Sequence, residues 1–407
     1  MGVKARLIGS YNSFSPRTMA KSIPALINPT MLTWAREQNR LTPEAAADAI
    51  GISVEKLTAC EAGDDHLTFP QFLKAATVYR RAPSLFYLDE APSGYQPIQD
   101  FRRFSDATAG GFSPALTAVL REAQERRDVA LDLHESLGEP VQAFGLTGSL
   151  SEGVEPFAAK IRSYIGVTQA DQLTWRAKAF DNWRLAIEAR DVLVFMVPKL
   201  ALAEMRGVAF AFPQLPIILI NAKDRTNGRT FTLLHEFCHL VLRASGVSGF
   251  GADDSPSQTA KIEQFCNAAA AAVLVPKSWL LAEPLVVRKG DAKTWENEEL
   301  QTLALRFGVS REVVLRRLLT LGRTTPAFYE QCRPMFQKEY DDLTDQKSSG
   351  GPAQHFVVMS RLGRGYTRLV LQGYHERQLT LRDVANYFNM QVKNVPAIEH
   401  AAFGLKG

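Results

Sequence analysis

The stretch Phe231-Thr-Leu-Leu-His235-Glu236-Phe-Cys238-His239-Leu-Val-Leu242 decides how this chain is read. Its apolar residues, Phe231, Leu233, Leu234, Leu240 and Val241, fit one buried helix running from about Arg229 to Arg243. On a helix, residues four apart lie on one face, one turn above each other. His235 and His239 can therefore offer a ring nitrogen each to one ion, at about 2.0–2.1 Å. Glu236 stands one residue along, close enough to take a proton from an attacking water without ligating the metal. The pattern is that of metal-assisted hydrolysis, with zinc as the expected ion.

A catalytic zinc site needs three protein ligands and one open position. The best source of the third is the apolar segment Lys261 to Val275, which reads as a second helix stopped by Pro276. Glu263 and Asn267 are four apart on it and share a face, Glu263 as ligand and Asn267 as its support. Asp253 and Asp254, in the Gly- and Ser-rich loop between the helices, are the competing acids and read as a solvated turn. Upstream, Val192–Val197 and Pro216–Ile220 are short β-rich runs bounded by turn residues and are expected as strands. The second of these is expected to offer an edge to an extended substrate.

The set Pro216…Asn221, Arg229-x-Phe-Thr-Leu-x-His-Glu-Phe-x-His and Glu263-x-x-x-Asn-x-x-Ala-Ala-x-x-Leu-x-Pro276 resembles the ImmA/IrrE family of metallopeptidases. That resemblance implies Glu263 as third ligand, zinc as cofactor, and a protein substrate such as a helix-turn-helix repressor in a stress or mobile-element response. Cys238 stands where the family usually has Gly, and Cys266 where it usually has Ala. Both keep a small residue; a thiol beside the site would alternatively confer sensitivity to oxidants.

Nearer the start, Thr42 with Pro43 reads as the opening of a helix that Gly51 breaks, and Ser53 caps another that Gly63 ends. Residues 19–92 resemble Xre-type helix-turn-helix modules, which pair as homodimers and are fused to ImmA/IrrE peptidases in some proteins. The DNA-facing candidates are Ser53, Lys56 and Thr58, with Arg36, Arg40, Lys74, Arg80 and Arg81 for phosphates. Lys56 is outnumbered by Glu55 and Glu61, so a protein-binding role stays open beside a DNA-binding one. The motif Ala47-x-x-Ile-Gly-Ile-Ser recurs as Ala304-x-x-Phe-Gly-Val-Ser and Ala385-x-x-Phe-Asn-Met-Gln, which is helix–turn–helix grammar without the constant period of a repeat array.

The whole is expected to be α+β and mainly helical: a helix-turn-helix bundle, a zincin-like domain with a small sheet, and a helical extension. The expected boundaries are a disordered tail at 1–18, the helix-turn-helix domain at 19–92, a helical linker at 93–148, the peptidase domain at 149–290, its extension at 291–340, a linker at 341–355 and a small module at 356–407. In that module Phe356–Met359 and Arg368–Leu371 look strand-like.

Composition sets the limits. The 407 residues are 46% hydrophobic and 22% charged, enough for a full core without staples. A net charge of +4 allows nucleic acid as a partner without demanding it. Four cysteines with no Cys-x-x-Cys pair suggest neither a zinc ribbon nor a disulfide framework, which points to a cytoplasmic setting. No apolar run reaches the roughly 18–20 residues of a membrane span. Two functional classes remain: a zinc endopeptidase acting on a regulatory protein or toxin-system partner, or a transcriptional regulator or antitoxin whose peptidase-like domain is a sensor.

Overall fold

The computed structural model describes residues 24–39, 41–79, 81, 83–90, 113–175, 178–244, 256–344 and 353–403. The expected tail at 1–18, Arg40, Arg80, Asp253, Asp254 and the Ser348–Pro352 linker lie outside the described residues. The chain divides into two compact units, residues 1–97 and 98–407.

In the first unit, helices α1 (Pro29–Gln38), α2 (Pro43–Ile50), α3 (Val54–Ala62) and α4 (Phe69–Val78) enclose Leu32, Ala35, Ala46, Leu57, Phe72 and Phe86. Thr42 and Ser53 accept hydrogen bonds from the backbone amides of Ala45 and Lys56, satisfying donors that each helix start leaves over. Gly51 (φ 79°) and Gly63 (φ 85°) end α2 and α3 in the left-handed conformation.

The second unit begins with α5 (Pro114–Ser136), α6 (Val154–Ile165), α7 (Gln169–Trp175) and α8 (Ala179–Glu188), followed by strands β1 (Leu193–Val197), β2 (Gly207–Phe210) and β3 (Ile217–Asn221). It continues with α9 (Thr226–Ala244), α10 (Pro256–Leu274), α11 (Lys277–Ala282), α12 (Pro284–Lys289), α13 (Asn297–Phe307), α14 (Arg311–Thr320) and α15 (Pro326–Thr344). The last helices are α16 (Gln354–Leu362), α17 (Arg364–His375), α18 (Leu381–Tyr387) and α19 (Val395–Phe403). Among the described residues the architecture is mainly helical α+β with one three-stranded sheet, in the order β1-β3-β2.

β3 is the central strand, parallel to β1 and antiparallel to β2. This corrects the expectation that Pro216–Ile220 offers an edge to substrate. Both of its sides are paired and all five of its residues are buried, as a continuous apolar run requires. The edges are β1 and β2, and the four residues of β2 are too short a run to stand out in the sequence.

Alternation along the strands divides the core in two. Val194, Met196, Ile218 and Ile220 face the layer of α6, α8, α9 and α10. Leu193, Phe195, Ile217 and Leu219 face α5 and the C-terminal helices, together with Leu120, Val358, Leu362, Val370 and Phe388. The residues expected as linker and as separate C-terminal module thus cover the second face of the sheet. The strand-like reading of Phe356–Met359 and Arg368–Leu371 is also corrected: both runs are helical. Their buried residues, Val358, Met359 and Leu362, then Tyr366, Leu369, Val370 and Gly373, recur at helical intervals that a four-residue window cannot reveal.

The recurring motif marks one local device used three times. Ala47, Ala304 and Ala385 are buried, as are the apolar residues three positions on, and Gly51, Gly308 and Asn389 then take positive φ.

Candidate metal centre

α9 and α10 pack against each other across small side chains: Cys238, Cys266, Ala269 and Ala270 are fully buried. The C-terminal carbonyls that α10 leaves over are received by buried side chains of neighbouring helices. Arg162 donates to Val273 (2.7 Å), Gln172 to Leu274 (2.8 Å) and Arg317 to Val275 (2.9 Å). Two cations at a helix C-terminus also complement its dipole. Three buried donors thus hold in place the helix that carries Glu263.

The donor atoms of His235, His239 and Glu263 converge. The two histidine Nε2 atoms are 3.1 Å apart, and each lies 3.2 Å from a Glu263 carboxylate oxygen. Nitrogen and oxygen donors bound tetrahedrally to one ion at about 2.0–2.1 Å stand roughly 3.3 Å from one another. The observed triangle has that size, and these three residues can hold a metal ion. Phe231 stacks one turn before His235, with ring centroids 6.3 Å apart.

Charge in the cluster follows from burial and proximity. Burial would raise Glu263, but hydrogen bonds from His235 and His239 outweigh it and hold the carboxyl far below its usual range. Burial works against a charged His235, yet Glu263, Glu236 and Asn267 together raise it. Asn267 is close enough to act on His235, although the ring's Nδ1 is buried without a hydrogen bond of normal geometry. Glu236 is buried, and desolvation raises its carboxyl, with the two histidines opposing.

His235, Glu236, Glu263 and Asn267 line a cleft of about 1620 Å³. Its lining also includes Arg206 and Gly207 at the start of β2, the first turns of α9, and residues of α13, α14 and α15. These further lining residues were not expected from the sequence. Leu305 and Arg311 carry no local signal that would assign them to a site formed some forty residues away; Arg206 has none beyond preceding a glycine.

Residues 188–319 match the family model described as the IrrE N-terminal-like domain. This stretch is similar to the IrrE-type metallopeptidase domain. A curated relative, the radiation response metalloprotease IrrE of Deinococcus radiodurans, is 32% identical over 159 residues, covering 37% of this chain and 44% of that protein. The chain therefore aligns with less than half of that relative's length.

In the first unit, the three expected DNA contacts have partners within the chain. Ser53 caps α3, Lys56 pairs with Asp65, and the Thr58 hydroxyl donates to the Val54 carbonyl. Arg36 is held by both carboxylate oxygens of Glu61, at 2.7 and 2.9 Å. Among the described residues, no helix is long and apolar enough to cross a membrane.

Proposed function

We propose that the chain is a zinc-dependent endopeptidase that cleaves a regulatory protein, such as a helix-turn-helix repressor or a toxin-system partner. The observation that carries this reading is the His235–His239–Glu263 triangle with a buried carboxylate, Glu236, beside it, lining a cleft of about 1620 Å³.

His235, His239 and Glu263 would hold the zinc. When bound, zinc supplies Lewis acidity toward the scissile carbonyl and lowers the pKa of water. Glu236 takes the proton from the attacking water and returns it to the leaving amine. A carboxyl whose proton affinity is raised by burial suits both halves of that transfer. Asn267 orients His235, and Phe231 screens its ring from solvent.

The first unit serves in this reading as a helix-turn-helix module that brings the peptidase to its target. The engagement of Lys56 by Asp65 supports contact with protein over contact with DNA bases.

The test compares the zinc-loaded chain with Glu236→Gln. The variant should keep one zinc per chain and lose cleavage of a helix-turn-helix repressor panel by about 10²–10⁴-fold. A zinc-loaded native chain that cuts no member of the panel, nor any peptide in a proteome-derived library, sinks the reading.

A further inference from the structure

A second concavity, of about 740 Å³, lies at the end of the helix that carries Glu263, and it shares no lining residue with the metal cleft. That size suits a small-molecule site. Its lining comes from α6 and the turn that follows, and from the end of α10 with α11. The apolar part of that lining includes Ala158, Ala159, Ala272, Trp279 and Leu281.

Charge around this pocket does not balance. Arg162 lines it and is 7% exposed. Its Nη atoms donate to neutral acceptors: the Gln172 side-chain oxygen and the carbonyls of Val167, Thr168 and Val273. Its guanidinium also lies 4.2 Å from the Trp279 ring centroid. Among the described residues no carboxylate is bonded to it, and burial pushes its pKa down to about 10, with Asp171 opposing. Glu155, the acid in the lining, is held at 2.7 Å by Arg317, itself 1% exposed. Lys277, also in the lining, is exposed and has no bonded partner among the described residues. Three cations thus face one carboxylate and the roughly half negative charge of the α10 C-terminus.

An apolar lining with surplus positive charge fits an amphipathic anion. Hydrocarbon leaves water against Trp279 and Leu281, and a negative group offsets the cost of keeping a guanidinium out of water. The Arg162 fork is already committed to carbonyls, so the bidentate grip that favours phosphate is missing. A singly charged carboxylate needs only the Lys277 ammonium and the nearby field.

We propose that this pocket is a second binding site, for a small apolar monocarboxylate whose hydrocarbon part rests against Trp279 and Leu281 and whose carboxylate pairs with Lys277 in the positive field of Arg162. The site is independent of what the metal cleft does.

The experiment titrates the full zinc-loaded chain with naphthoate and with naphthylmethanol, its uncharged counterpart, in a calorimeter at about 0.1 M salt. Naphthoate should bind at one site per chain, about tenfold more tightly than the alcohol. Lys277→Glu should remove that preference. Lys393→Glu, the same charge change just before α19, should preserve it. Ala159→Trp, a substitution at an exposed position of the lining, should fill the pocket and abolish binding of both probes. Equal affinity for acid and alcohol, or a preference that survives Lys277→Glu, overturns the proposal. Naphthoate binding that survives Ala159→Trp is binding elsewhere, at the zinc for instance, and overturns it too.

Discussion

Gly207 lies so close to Glu236 that a Cβ at this glycine would stand 2.8 Å from the carboxylate's Oε1 and closer still to the Thr232 methyl. The edge strand is thereby pressed onto the helix that carries the histidines, and the rotamer of Glu236 is set by a backbone with no side chain. Gly207→Ala should therefore push Glu236 aside without touching the metal ligands. Cleavage should drop by about a hundredfold, as expected for a base displaced by an ångström, while zinc stoichiometry stays at the native value. Zinc content and turnover measured on the same preparation check this. Parallel loss of both would mean that the strand supports the metal site itself.

Proton binding at the centre opposes metal binding. His235 holds its proton above the ordinary 6.5, because Glu263 and Glu236 outweigh the effect of burial. Zinc must displace that proton, so affinity should fall as pH drops from 8 toward 6, with the decline starting above about 6.5. For the zinc-stripped chain the direction differs. The raised His235 contributes stability that is complete below 6.5 and is lost as pH rises through its folded value. The depressed Glu263 contributes stability present above its ordinary 4.5 and lost as pH falls through its folded value. The apo chain should melt highest between those limits, and Glu263→Gln should flatten the profile. Chelator competition and calorimetry across pH read the two effects separately.

Cys238 and Cys266 lie on the two ligand helices, and a thiol there would be an oxidant sensor only if it ionised. Burial does the opposite and pushes both thiols far up, each carboxylate nearby adding to the effect. A thiol reagent applied to the folded chain should therefore label Cys332, which is partly exposed, and spare Cys238 and Cys266 until denaturant is added. Peptide mapping by mass spectrometry decides it. Labelling of Cys238 in the folded, active chain would restore the redox reading.

The features readable in the sequence were those whose physics is local. His235, Glu236 and His239 fall on one helical turn, and Glu263 and Asn267 on another, so their faces follow from 3.6-residue periodicity alone. Thr42, Ser53, Gly51 and Gly63 announce helix ends because caps and left-handed turns are made within four residues. What escaped depends on distant pairing. β2 is a strand only because it pairs with β3, and β3 lost its expected edge for the same reason. Phe356–Met359 could not be told from a strand until the sheet was seen to need a helical cover on its second face. The cleft lining that includes Arg206 and Leu305 is assembled by tertiary packing, which no local spacing encodes.

Arg317 is 1% exposed, although it belongs to the helical segment after the ligand helices. Its Nε donates to the Val275 carbonyl at the end of α10, and its Nη2 to Glu155 at 2.7 Å. Arg317→Met keeps the bulk and removes both bonds, stranding a carbonyl on the helix that carries Glu263. The loss should be about 2–3 kcal/mol, since hydrogen bonds to buried charged groups are the strong ones. It should appear in calorimetry as a lower melting point for the transition that releases zinc. Glu155→Gln should cost much less, because the Glu155 side chain is 37% exposed and water can replace it. Equal losses in the two variants would locate the stabilisation in the ion pair, and the carbonyl at the end of α10 would then have no part in holding Glu263.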